Sequence, residues 1–270
     1  LAAFVRRRLG REALERLAGP IMGAIYVSDP ERMSVHATFP MFVELEQRYG
    51  SLLRGMRAAR HRRRSSGAIF TTLRGGMDRL IEALTRALGA EHLAANSAVC
   101  ALQRCDGHWR LLFADRPPFD CDGVILCTPP AVAAELLEPH APELVRELRA
   151  LRAVSSAVVN FAYADGDLHG ARTGFGIVVP ASEPGDLLAL TWSSAKFDGR
   201  APPGFHLIRA FTGGPGREVI AECPTSELVD RVRGQLARLL NLHAPPRRVW
   251  TAAWPAANPQ YDVGHLERVA

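Results

Sequence analysis

Between residues 155 and 211 the chain runs through four short apolar stretches, spaced as an antiparallel sheet requires. They are Ser155 to Tyr163, Gly174 to Pro180, Leu187 to Trp192 and Phe205 to Phe211. Each is strand length and rich in β-branched or aromatic residues. Ser226 to Leu240 follows as a helix, opened by Pro224 and Thr225, with Leu228, Val232, Leu236 and Leu239 at helical spacing. Arg247 to Trp254 is a last strand. A sheet with one helix bearing an apolar stripe predicts a two-layer unit, the helix covering one sheet face.

The preceding part reads differently. Residues 2 to 18 form an amphipathic helix that Gly19-Pro20 is expected to end. Asp29-Pro30-Glu31 is expected to start another, with Asp29 as cap. Ser34 to Arg48 is helical, interrupted near Pro40. Arg60 to Arg64 is a basic loop, and Ala68 to Leu73 is β-like. Met77 to Leu88 is a helix capped by Gly89. Ala94 to Arg104, Trp109 to Ala114 and Gly123 to Thr128 read as strands. The continuous run Val124-Ile125-Leu126-Cys127 predicts a strand buried on both faces. Helices are expected over Ala131 to Leu137 and Pro142 to Leu151.

Several function classes lose support here. The net charge is +5, with Lys196 the sole lysine, too small an excess to imply nucleic-acid binding. Five cysteines without a CxxC suggest neither a disulfide framework nor a zinc site, and point to a reducing compartment. No GxGxxG, P-loop, GxSxG or HExxH occurs. Gly213 to Gly216 reads as a turn because Pro215 interrupts the row of backbone donors. No apolar run reaches the roughly 18 residues that span a bilayer. The chain opens on Leu1 inside a helical pattern and stops at Ala270 just after a helix start, so a longer parent protein is expected.

The order of several segments carries more information. Leu73-Arg74-Gly75-Gly76 with the helix after it, a strand holding Val99, and Val124 to Pro130 resemble the middle of the FAD-dependent amine-oxidase superfamily. A narrower resemblance is to protoporphyrinogen/coproporphyrinogen oxidases. It rests on Phe4 to Gly10 with Pro20 to Ser34, on Ala37 to Pro40 through Gly55, and on Gly174 to Pro180 with Trp192-Ser193-Ser194 and Phe197. It closes with Arg200-Ala201-Pro202 leading to Phe211 to Gly214, and with Trp254 to His265.

That resemblance implies a mixed α+β and α/β architecture. It has a helical, membrane-associated part (1–66), part of a doubly wound FAD-binding domain (67–152), a substrate domain of antiparallel sheet and helix (153–254) and a return toward the FAD-binding domain (255–270). It implies FAD as cofactor, with Val99, Thr128 and Trp254 as cofactor-binding positions. Gly23, Ala24, Val178, Thr191 and Phe211 match the substrate pocket, Val178 and Thr191 being smaller than the leucines common there. It names no catalytic acid or base and no metal ligand. The implied reaction is six-electron oxidation of a porphyrinogen with oxygen as acceptor. The protein would be cytoplasmic, with a peripheral membrane contact and a homodimer as further expectations. The family's two Gly-rich FAD segments are not found in this sequence, so the chain alone is expected to bind FAD poorly and to be inactive. Two other readings remain at this stage. One is a different flavin amine oxidase, such as a carotenoid desaturase or a monoamine oxidase. The other is a non-catalytic basic module that binds lipid or acidic partners through Arg60 to Arg64.

Overall fold

A computed structural model describes residues 1–62, 71–168 and 174–270, with the side chains of 60–62 left out. It divides into two compact units, Gly76–Arg152 and Leu1–Gly75 with Ala153–Ala270.

In the Gly76–Arg152 unit, the helix Asp78–Leu88 ends at Gly89, whose φ of +85° turns the chain out. Strands β1 (Val99–Cys105), β2 (His108–Phe113) and β3 (Phe119–Cys121) form an antiparallel sheet in that order. Arg110 on β2 and Asp120 on β3 stand opposite each other and pair at 2.7 and 2.9 Å. The Arg110 guanidinium holds the Asp120 carboxyl below its ordinary range. The helices Pro130–Leu137 and Pro142–Ala150 follow and pack on each other. The run Val124 to Cys127 takes no regular secondary structure: no strand among the described residues pairs with it, and Ile125 is 91% exposed. The expected doubly buried strand is corrected here. An apolar run forms a central strand only where neighbouring strands accept its hydrogen bonds.

The larger unit holds a five-stranded antiparallel sheet, order β5-β6-β7-β4-β8. The strands are β4 (Ala153–Ala164), β5 (Gly176–Val178), β6 (Leu187–Trp192), β7 (Phe205–Gly213) and β8 (Arg248–Pro259). β4 alternates along most of its length, burying Ala157, Val159, Phe161 and Tyr163 on one side. These meet Ile208 and Ala210 of β7, Leu190 and Trp192 of β6, and Leu228, Val232 and Leu236 of the helix Thr225–Leu240. The expected helix stripe is thus the lid of the core. Burial pushes the Tyr163 phenol up to about 12, so the ring packs as a neutral core aromatic.

The N-terminal helices depart from expectation in two places. The first break comes at Gly10 (φ +87°), not at Gly19-Pro20. Leu14–Ala18 widens into a π turn closed by the Gly19 amide donating to the Leu14 carbonyl, and the helix Gly19–Tyr26 follows. Gly19 is there for closeness, since a Cβ would lie 2.7 Å from that carbonyl oxygen. Pro20 falls at the start of the next helical segment, where its missing N–H matters least. Asp29 does not cap a helix. Its Oδ1 accepts from the Glu31 amide at 2.9 Å in a turn, and the next helix, Val35–Thr38, is capped by Ser34. The helix Pro40–Tyr49 bears out the interruption near Pro40. Residues 60–62 of the expected basic loop end the helix Leu52–Arg62 instead, while Arg63 and Arg64 and residues 68–70 of the β-like stretch lie outside the described residues. Residues 71–73 take no strand.

Two predictions follow from this packing. Leu236→Ala opens a void under a fully buried position and is expected to cost about 2–5 kcal/mol in urea unfolding. Gln260→Ala removes the buried amide that bonds Ser28 at 2.7 Å and the Val27 carbonyl at 3.2 Å. It is expected to cost about 1–3 kcal/mol in the same measurement.

Candidate functional site: the open sheet face and the cleft at its end

Because the helix Thr225–Leu240 covers only one side of the sheet, the other side carries the remaining, even-spaced residues of β4. Strand register sets their neighbours. Val178, Ala189, Phe211, Val158 and Ala252 form one row across all five strands. Gly176, Thr191, Arg209, Asn160 and Trp250 form the next. Trp254 stands opposite Ser156 one row beyond Phe211. Val178, Thr191, Phe211 and Trp254, far apart in sequence, therefore share one face. Phe211 is half-buried, while Val178, Trp250 and Trp254 are 38%, 47% and 44% exposed.

A bulge shapes the Trp254 end. Pairing jumps from Ser156–Trp254 to Val154–Asn258, so β8 carries extra residues there. The Ala256 backbone amide donates to Ser155 Oγ at 2.9 Å, and the Asn258 side-chain Nδ2 donates to the Val154 carbonyl at 3.0 Å and to Ser156 Oγ at 2.9 Å. Ser155 Oγ in turn donates to Glu222 at 3.0 Å.

At the end of β7, two residues past Phe211, lies a cleft of about 540 Å³. Gly23 and Val27 line it from the N-terminal side, Val179 and Leu188 from the sheet, and Gly213 and Gly214 from the turn. Gly213 has φ +98°, and a Cβ there would lie 2.6 Å from the Ser155 carbonyl oxygen. The turn expected over Gly213 to Gly216 is present. Arg6 and Glu31, paired with each other, stand at the rim. Ala24, next to Gly23 on the helix Gly19–Tyr26, is half-buried and does not line the cleft.

Val99 and Thr128 belong to the Gly76–Arg152 unit. Val99 is half-buried at the start of β1, where the register slips between Val99 and Ala101. Such a slip leaves backbone groups outside the ladder, which suits a position whose main chain meets a ligand. Thr128 is exposed just after the irregular run Val124 to Cys127, before the helix Pro130–Leu137. Trp254, an exposed indole on an open sheet face, suits the edge or face of a flat ring. By residue type alone, each of the three, taken within its own unit, is compatible with contact to a flavin nucleotide. Among the described residues there is no cluster of side chains able to hold a metal ion.

Comparison with known proteins decides the family. The model for the flavin containing amine oxidoreductases matches residues 1–268. The chain belongs to that family. Among curated members, it is 29% identical over 279 residues to the coproporphyrinogen III oxidase of Staphylococcus aureus, covering 100% of this chain and 59% of that one. It is 31% identical over 304 residues to the coproporphyrinogen III oxidase of Propionibacterium freudenreichii, covering 100% and 56%. Human protoporphyrinogen oxidase is 29% identical over 288 residues, with 99% and 59% covered. A crystal structure from Exiguobacterium sp. 255-15, provisionally described as a protoporphyrinogen oxidase, superposes with TM-score 0.86 at 30% identity. It is matched over 100% of this chain and 57% of that one. Reduced UDP-galactopyranose mutase shares the fold at 16% identity and TM-score 0.69. This member of the amine oxidoreductases thus spans somewhat over half the length of the relatives it matches.

Sequence reading missed Trp250 and Arg209 as residues of the open face. The signal was present as period two, since Trp250 and Trp254 share a parity on β8, and so do Arg209 and Phe211 on β7. Gly213→Ala is expected to cost about 3 kcal/mol, because a strained φ is combined with backbone overlap. Gly216→Ala, whose Cβ meets nothing within 4 Å, is expected to cost about 1 kcal/mol. Thermal unfolding of both variants checks the difference.

Proposed function

We propose that this chain carries the substrate-handling part of an FAD-dependent oxidase that converts a porphyrinogen, protoporphyrinogen IX or coproporphyrinogen III, to the porphyrin during haem biosynthesis, with oxygen as acceptor. The observation that carries the reading is the open sheet face. Phe211 and Val178 share one row, Thr191 stands in the next, and Trp254 lies one row beyond Phe211 on its other side. A broad face that is apolar and aromatic, with few charges, suits a large apolar macrocycle. The names of the relatives support the same substrate class.

In this reading FAD, when bound, supplies the two-electron acceptor for hydride from the macrocycle. The chain's own residues position and shelter. Phe211 packs on one pyrrole ring, while Val178 and Thr191 flank another. Gly23 and Ala24 keep the neighbouring helix wall small. In the larger unit Trp254 would meet the flavin, and in the Gly76–Arg152 unit the Val99 backbone and Thr128 would contact the cofactor. No side chain of the open face is assigned as acid or base; these residues hold the reacting carbon toward the acceptor.

The same reading makes 67–152 part of a doubly wound FAD-binding domain, 153–254 the substrate domain and 255–270 a return toward the FAD-binding domain. It makes 1–66 a helical part that touches a membrane surface peripherally in a cytoplasmic, homodimeric enzyme. Leu9 is 46% exposed at the end of the helix Ala2–Leu9, which carries Arg6, Arg7 and Arg8, and Leu17 and Ile25 are 59% and 64% exposed on the segments after it, a composition suited to an interfacial surface. No described helix is long and apolar enough to cross a membrane.

The test uses the full-length gene product. Its visible spectrum reports flavin, and porphyrin fluorescence under air reports turnover of each porphyrinogen. Flavin bands with faster fluorescence growth on one substrate are expected. Folded protein that gains neither flavin nor turnover after FAD is added overturns the proposal. Phe211→Ala, which strips the largest side chain of its row, is expected to raise KM about tenfold or more without loss of flavin.

A further inference from the structure

β7 presents a cation on the open face beside its aromatic residue. Arg209 faces Thr191 across one ladder and Asn160 across the other. It lies two residues from Phe211, so both side chains leave the sheet on the same side, about 7 Å apart along the strand. Arg209 is exposed, and its Nε donates to Asn160 Oδ1 at 2.8 Å. That single bond fixes the plane of the guanidinium and leaves four of its five N–H groups, all on Nη1 and Nη2, free to donate. Among the described residues no carboxylate pairs with Arg209. Arg8, Arg32, Arg110 and Arg231 instead have Glu46, Asp262, Asp120 and Asp186 as partners. A cation oriented by a neutral amide, with no anion of its own, at the border of an apolar aromatic surface, complements an anionic group on an otherwise apolar ligand.

We infer that Arg209 anchors a carboxylate substituent of the porphyrinogen, its two Nη groups receiving the carboxylate while the macrocycle lies over Phe211 and Val178, and that Asn160 is the positioning residue that aims it. The inference rests on the porphyrinogen reading above and adds to it the group that recognises the acid side chains.

The test uses the full-length, flavin-loaded protein and three ligands: coproporphyrinogen III as substrate, coproporphyrin III as a binding probe, and coproporphyrin III tetramethyl ester as the same ring without charge. Arg209→Met is expected to raise KM and the porphyrin Kd about tenfold or more, the size of a lost charge-assisted hydrogen bond. The effect falls on KM rather than kcat, and Arg209→Lys recovers part of it. Binding of the ester, read by fluorescence quenching, is expected to stay within twofold. Asn160→Ala keeps the cation but frees its orientation, and is expected to raise KM about threefold for the free acid alone. It carries the test if Arg209→Met does not retain flavin. Free-acid binding unchanged by either variant overturns the inference and leaves the porphyrinogen reading standing, as does an equal loss for acid and ester. A wild-type protein that binds neither coproporphyrin III nor protoporphyrin IX and oxidises neither porphyrinogen removes the reading, and the inference with it.

Discussion

The larger unit depends on β4 being paired along both edges. Its residues from Ser156 onward bond to β7 on one side and to β8 on the other. A strand with two neighbours has only its faces left to offer, and β4 gives one to the core. Ala157, Val159, Phe161 and Tyr163 vanish under the helix Thr225–Leu240. Slipping the register by one residue would swap these with Ser156, Val158, Asn160 and Ala162 and bring a polar amide into the core. The same alternation that closes the core determines which side chains stand on the uncovered face.

A second constraint ties the two ends of this unit together. Gln260, 2% exposed, bonds Ser28, the Val27 carbonyl and the Asn258 carbonyl. Nearby the Ser34 amide donates to the Tyr261 carbonyl at 2.7 Å, and Arg32 pairs with Asp262 at 2.9 Å. A buried amide with its hydrogen bonds made is worth modest net free energy, and leaving its partners unmade costs more. These bonds hold the turn after the helix Gly19–Tyr26 beside the end of β8. That brings Gly23 and Val27 to the cleft opposite Gly213 and Gly214.

Much of this was legible in the residues. The strand runs at 155–163, 187–192 and 205–211, the helix over 226–240 and its apolar stripe all emerged from period-two and period-3.6 patterns, which are properties of neighbouring residues. The resemblance to porphyrinogen oxidases rested on the order of weak segments, and the family match over residues 1–268 agrees with it. Trp250 and Arg209 were overlooked because the resemblance pointed to matching positions rather than to a whole face.

By itself, the sequence determined which residues alternate, which helix bears a core stripe and which family the chain joins. Only the tertiary structure decided three other things. Gly19 is a point of close approach rather than a helix stop. Val124 to Cys127, apolar throughout, has no strand beside it among the described residues and lies irregular and partly exposed. The segments around Asp29 and Gln260 meet across more than 200 residues. Local patterns record what one stretch prefers. Which distant stretch supplies the missing hydrogen bonds is a property of the folded chain, where loop-closure entropy and packing are settled together.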